Sequence, residues 1–141
     1  MSAFQKEILL KAKKRGFHLI TDEILSEFTE IDNIEIGILH IFIKHTSAGL
    51  MINENADPTV REDFQSHFNE MVPENQPYYK HTIEGPDDMP AHIKSALTGT
   101  SVQIPITNGK LNLGTWQGIY LCEFRDRGGS RKLVLTVYGE E

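Results

Sequence analysis

The chain is expected to fold as one α+β domain, residues 1–141, with helices packed on an antiparallel β-sheet. Three observations carry this expectation. Hydrophobic residues make up 39% of the 141 residues and are spread along the whole length, so one core can form without disulfides. The last third is a succession of short, turn-punctuated runs of strand type, whereas two stretches between Asp57 and Gly99 switch to helical spacing. Strands, then helices, then strands again indicate helices segregated onto an antiparallel sheet.

Taken in order, residues 4–11 alternate as a strand. After Gly16, a short strand from Phe17 to Ile20 leads to Thr21-Asp22, a pair suited to capping a helix with Ile24, Leu25, Phe28 and Ile31 on one side. The run IEIGILHIFIK, residues 34–44, is rich in β-branched residues and apolar on both alternating faces. Ile36, Ile38 and Phe42 lie on one face, and Leu39, Ile41 and Ile43 on the other. Such a strand is covered on both sides, either within the domain or by a neighbouring subunit, and the pattern leaves both explanations open.

Asp57-Pro58 reads as an N-cap and first helical residue, followed by Val60, Phe64, Phe68 and Met71 at helical spacing until Pro73 ends the helix. The polar, proline-containing connection that follows is long enough to carry function. A second helix is expected from near Pro90 through Ile93 and Leu97 to Gly99, a suitable residue just past a helix end. SVQIPI and KLNLG flank Asn108-Gly109, a dipeptide suited to a tight hairpin. TWQGIYLCEF is expected to pair with RKLVLTVYG through a glycine-rich turn.

Composition narrows the function. No apolar run approaches the roughly 20 residues of a membrane-spanning helix, and MSAFQKEILLKAKKRG lacks a secretory h-region, so the expected address is the cytoplasm and no membrane partner is expected. The single Cys122 reads as a packed small side chain. A formal charge of −6 repels a phosphate backbone, and the one basic run, Lys11, Lys13, Lys14 and Arg15, has no interleaved aromatic residues to stack bases. Nucleic acid is therefore not an expected partner.

Six histidines are the main chemical signal. His18, His40 and His67 read as packing or surface residues within regular elements. His45 ends the long strand where the chain turns to the small polar residues of HTSAG, His81 lies in the polar connection, and His92 follows the start of the second helix. Three neutral imidazoles with a fourth position open form a catalytic zinc arrangement, and Glu84, Asp87 and Asp88 offer carboxylates to orient the rings. The spacing alone leaves a metal site and three unrelated polar histidines equally open.

Two further segments carry polar or basic clusters. Asn53, Glu54 and Asn55 either hold a ligand at a helix N-terminus or satisfy the backbone of a turn. Asn53 and Asn55, with Trp116 and Gln117 of GTWQGIY, are the candidate cofactor-contacting residues, although Trp116 by itself reads as a core or subunit contact. Arg125, Arg127 and Arg131 surround Gly128-Gly129 in RDRGGSRK, which suits either phosphate recognition or an ordinary turn with solvated arginines.

HTSAGLMINENADP, HTIEGPDDMPAHIKSAL and LGTWQGIYLCEFRDRGGSRK together resemble the three signature blocks of the YjbQ family, in the family's order and over nearly the whole chain. The resemblance implies an α+β subunit assembled as a homotrimer, its sheets packed around a three-fold axis, which would cover the second apolar face of residues 34–44. It implies a divalent metal, zinc in the first place, with magnesium entering alongside substrate. The ligands it implies are His45, His81 and His92, with Asp88 and Glu123 acting around them. It also implies a secondary thiamine-phosphate-synthase-type activity, in which a phosphorylated thiazole displaces pyrophosphate from an activated pyrimidine. Arg125 and Arg127 would supply charge for the small phosphorylated metabolite. The alternatives are a non-catalytic trimer that binds metal or an anionic metabolite, and a metal-dependent hydrolase.

Overall fold

The computed structural model describes residues 1–141. Its strands are β1 (Ser2–Leu10), β2 (Gly16–Leu19), β3 (Ile36–Ile43), β4 (Ala48–Glu54), β5 (Ser101–Thr107), β6 (Lys110–Leu111), β7 (Gln117–Glu123) and β8 (Arg131–Glu140). The helices are α1 (Thr21–Glu27), α2 (Pro58–Met71) and α3 (Asp88–Thr98), and a 3-10 turn covers Thr29–Asn33. No helix is long and apolar enough to cross a membrane.

Two antiparallel sheets form instead of one. The larger has the order β1-β8-β3-β5-β6 and the smaller β2-β7-β4. Their facing sides bury Leu39, Ile41 and Ile43 of β3 and Leu133, Leu135 and Val137 of β8 against Leu50 of β4 and Ile119 and Leu121 of β7. On its other side the smaller sheet supports α2 and α3 over a second cluster of Phe17, Ala91, Tyr120, Cys122 and Phe124, against which Phe64 and Phe68 pack. The architecture is therefore three layers: sheet, sheet, helices.

This corrects the expected β7–β8 hairpin. β7 is buried from Gly118 to Glu123 because it is the centre of the middle layer, with both edges taken by β2 and β4. β8 alternates, buries one face, and joins the larger sheet between β1 and β3. The glycine-rich segment after β7 thus carries the chain from one sheet to the other.

Within the chain, β3 is covered on one face. Leu39, Ile41 and Ile43 are buried, but Ile36 and Phe42 on the opposite face remain exposed in the single chain. The helix after Thr21 is short: Ile20 is its N-cap, and the Thr21 hydroxyl instead accepts from the Ile119 N–H at 2.9 Å, stitching α1 to β7. Ile24, Phe28 and Ile31 are buried as the spacing required, whereas Leu25 is exposed.

α2 begins as expected, with the Asp57 carboxylate accepting from the Thr59 N–H at 2.9 Å and Pro58 in the first turn. The β5–β6 hairpin turns on Asn108 and Gly109 at φ 53° and 74°, the left-handed pair that matches strand twist. A side chain at 109 would also meet the Asp32 carbonyl oxygen at 2.6 Å. Finally, α3 starts at Asp88, two residues before Pro90, and this small difference shapes the site.

Candidate metal centre

The start of β4 and the end of β7 meet at one end of the smaller sheet, where Ala48 pairs with Glu123. Three segments converge there: the turn between β3 and β4, the long connection after α2, and the loop after β7. Because α3 begins at Asp88, His92 sits one turn later on the same helix face. His81 approaches from the connection, and its ring lies 5.4 Å from that of His92, centroid to centroid.

The carboxylate of Asp88 is the focus of the cluster. Its Oδ2 lies 2.7 Å from His81 Nε2 and 3.0 Å from His92 Nε2. Ligand atoms of His81, Asp88 and His92 all fall within 4.8 Å of one another, a spacing suited to one metal ion.

The hydrogen bonding of His92 tests whether a cation fits. Its Nδ1 lies 2.8 Å from the Thr46 carbonyl oxygen, which can only accept, so Nδ1 carries the proton. In the neutral ring, Nε2 then presents a lone pair to a carboxylate oxygen, also an acceptor. A cation between them, or a second ring proton, resolves that conflict. A ring N–H donated to a backbone carbonyl, with the other ring nitrogen left for the ion, is also how metal-binding histidines are oriented. The residues fit a divalent ion.

Asp88 is held in place from behind. Arg125 Nη1 donates to Asp88 Oδ1 at 2.5 Å, its Nε donates to Asp87 Oδ2 at 2.9 Å, and its Nη2 donates to the Glu84 carbonyl at 3.0 Å. Burial works to raise the pKa of Asp88, but hydrogen bonding from His81 and the charges of His92 and Arg125 more than offset it and hold the carboxyl below its ordinary range. Burial likewise opposes Asp87, where the Asp126 N–H and Arg125 prevail and lower the pKa. In Arg125 itself, burial is outweighed by these carboxylates, so its charge is reinforced.

Glu123 and Arg131 form a buried ion pair beside this cluster. Arg131 Nε and Nη2 donate to the two carboxylate oxygens at 2.8 and 2.6 Å, and Nη2 also donates to the Ser47 hydroxyl at 3.0 Å. The Arg125 N–H donates to Glu123 Oε2 at 3.1 Å, which anchors the clamp on Asp88. A side chain at Gly128 would come within 2.5 Å of Glu123, so the loop crosses this pair with glycine.

Of the three expected ligands, the chain brings together His81 and His92 and leaves His45 aside. The Lys132 N–H donates to His45 Nε2 at 2.8 Å, which uses that nitrogen as an acceptor and leaves Nδ1 as the free ring atom. Burial, and then the nearby Arg131 charge, lower the His45 pKa and favour the neutral ring. His45 and His92 do share the lining of one open depression of about 530 Å³ with Thr46, Ser95 and Thr100.

Arg125 directs its guanidinium to Asp87, Asp88 and the Glu84 carbonyl within the chain, whereas Arg127 is exposed and makes no ion pair. Glu123 is fully buried and is consumed by Arg131 and the Arg125 backbone. Asn53, Asn55, Trp116 and Gln117 sit at the opposite end of the smaller sheet, about 20 Å away by strand rise. There the Asn55 amide donates to the Thr115 and Gln117 carbonyls, Gln117 accepts from the Gly114 N–H, and Asn53 accepts from the Glu54 N–H. Trp116 is 65% exposed and is not a core residue. Asp88, expected to act around the histidines, has a carboxylate oxygen among their ring nitrogens, and its four-residue offset from His92 is the helical signal for that placement.

Fold and site together define a small sheet–sheet–helix protein with a His-Asp-His cluster at one end of its middle layer. The chain belongs to the family described as UPF0047 protein YjbQ-like, whose model matches residues 6–140. It is 51% identical to the UPF0047 protein YjbQ of Escherichia coli O157:H7 over 137 residues, covering 97% of this chain and 99% of that one. It is 40% identical to the UPF0047 protein YugU of Bacillus subtilis over 119 residues, covering 84% and 88% of the two chains. Among solved structures, a YjbQ/UPF0047-family protein of Clostridium acetobutylicum superposes with a TM-score of 0.83 at 40% identity, covering 94% of this chain and 99% of that one.

Proposed function

We propose that the protein is a cytoplasmic, divalent-metal-dependent transferase acting on a small phosphorylated metabolite, with His81, Asp88 and His92 holding the ion. The observation that carries this reading is the His92 ring, whose Nδ1–H is committed to the Thr46 carbonyl while Nε2 faces the Asp88 carboxylate. Two imidazoles and one carboxylate make zinc the first candidate. Bound there, a divalent ion would supply the positive charge that a departing pyrophosphate requires.

The residues of the chain do the rest. Thr46 fixes the His92 tautomer, Arg125 prevents the Asp88 carboxylate from turning away, and Lys80 and Arg127, next to His81 and Arg125 in the chain, are exposed cations without an ion pair, free to meet an anion. The reaction that fits the family resemblance is thiamine-phosphate formation, with pyrophosphate displaced from an activated pyrimidine by a phosphorylated thiazole. We further infer that copies of the chain cover the exposed face of β3 bearing Ile36 and Phe42, as expected of a trimer built on this sheet.

The test uses protein with its metal content measured, assayed with both phosphorylated precursors beside a His81→Ala control. Product formation that requires His81 and falls on chelation is the expected result. Equal product from the control refutes the reading. A second reading, a metal-dependent binding protein without turnover, is favoured by the commitment of Arg125 and Glu123 to internal partners, which leaves no evident nucleophile–base pair. Tight binding of a precursor without consumption selects it.

A further inference from the structure

His45 stands where β3 stops pairing with β8. The ladder between the two strands ends at Ile43 and Leu133, and just beyond it the Lys44 N–H still reaches the Lys132 carbonyl at 3.1 Å. The Lys132 N–H is then taken by the His45 ring instead of a backbone carbonyl, with Nε2 accepting at 2.8 Å. The imidazole thus completes the sheet edge, and that bond holds the ring in one orientation.

The same bond places the proton. A nitrogen that accepts from an N–H carries no hydrogen of its own, so the neutral ring is protonated on Nδ1. Burial and the Arg131 charge favour that neutral form. Coordination of an ion through Nε2 would strand the Lys132 N–H, and coordination through Nδ1 would require the ring to give up its only proton. His45 is therefore arranged as a hydrogen-bond donor.

The Nδ1–H is uncommitted: it bonds no other group of the chain, and His45 lines an open depression of about 530 Å³ together with His92. Three cations lie near the ring. Arg131 is paired with Glu123 and Lys44 with Glu7, whereas Lys132 forms no ion pair. A free N–H beside an unpaired cation favours an acceptor that carries negative charge.

We propose that His45 acts not as a ligand to the ion but as a binding residue, its Nδ1–H donating to an anionic phosphoryl or carboxylate oxygen seated between His45 and His92. As part of a metal-dependent site the proposal rests on the metal-centre reading, but the tautomer and the donor role do not.

Histidine-ring NMR on the full chain, with and without zinc, tests it, and His45→Gln identifies the reporter signals. Long-range proton–nitrogen correlations should show His45 protonated on Nδ1 and bare on Nε2. Inorganic phosphate should shift the Nδ1 signal with a Kd in about the millimolar range, as expected of so small a ligand. His45→Gln keeps an acceptor for the Lys132 N–H but lacks the Nδ1–H, so zinc content should be unchanged while phosphate binding weakens about tenfold or more. A proton on Nε2, an Nδ1 signal that ignores phosphate, zinc lost from the variant, or unchanged phosphate affinity in it each overturns the proposal. If zinc fails to bind the unaltered chain but phosphate still shifts Nδ1, the metal reading falls and the donor assignment stands.

Discussion

The two ends of the smaller sheet are both rich in polar side chains, yet they use them oppositely. At the Glu54–Gln117 end, Asn53, Asn55 and Gln117 each bond a neighbouring backbone group of the turn. At the Ala48–Glu123 end, the outer members of the network, Arg125, Glu123 and Arg131, bond one another and the cluster rather than a turn. They do so in order to present Asp88, His81 and His92 with lone pairs converging on one point. Polar residues mark structure when their partners are local backbone, and mark a site when others hold them facing one another.

The sharpest break of this comparison is Asp88→Ala. Zinc measured by elemental analysis should fall from about one ion per chain to background, because the carboxylate oxygen shared by both imidazoles is gone. Stoichiometric zinc in that variant removes the distinction between the two ends. Arg125→Gln tests the support of the site: metal affinity, measured by chelator competition, should fall about 10- to 100-fold, as is usual when the groups orienting a ligand are removed.

At the other end, Asn55→Ala should lower unfolding free energy in urea by about 1–3 kcal/mol, since two carbonyls lose their donor, while zinc content stays the same. The smallest effect concerns His45. Burial and Arg131 put its folded pKa below the ordinary value of 6.5, so the unfolded chain takes up the proton first. Its contribution to stability is therefore present above 6.5 and is lost as pH falls toward the folded pKa. His45→Gln keeps an acceptor for the Lys132 N–H and should flatten that acid slope in pH-dependent urea unfolding, by well under one proton.

Much of the fold was legible because local patterns and tertiary demands agree. Asp57-Pro58 starts α2, Asn108-Gly109 turns the hairpin, and the α+β class follows from element order. The division into two sheets was not legible. β7 and β8 look like consecutive hairpin strands, and only the burial of β7 on both faces separates them. The site was half legible. His81, His92 and the neighbouring Asp88 stood out by position, but placing the helix start at Pro90 hid the one-turn offset that sets Asp88 and His92 on one face, and the position of His45 at a strand end could not show that its Nε2 accepts from the Lys132 N–H.

By itself, the sequence determined which elements form and which residue types could bind a cation, because capping, turn chemistry and apolar period act within a few residues. Tertiary structure decided which of those side chains are free. Whether a nitrogen or carboxylate oxygen is already engaged depends on groups distant along the chain: Thr46 for His92, Lys132 for His45, and Arg125 for Asp88. Lone pairs are allotted only when those segments meet.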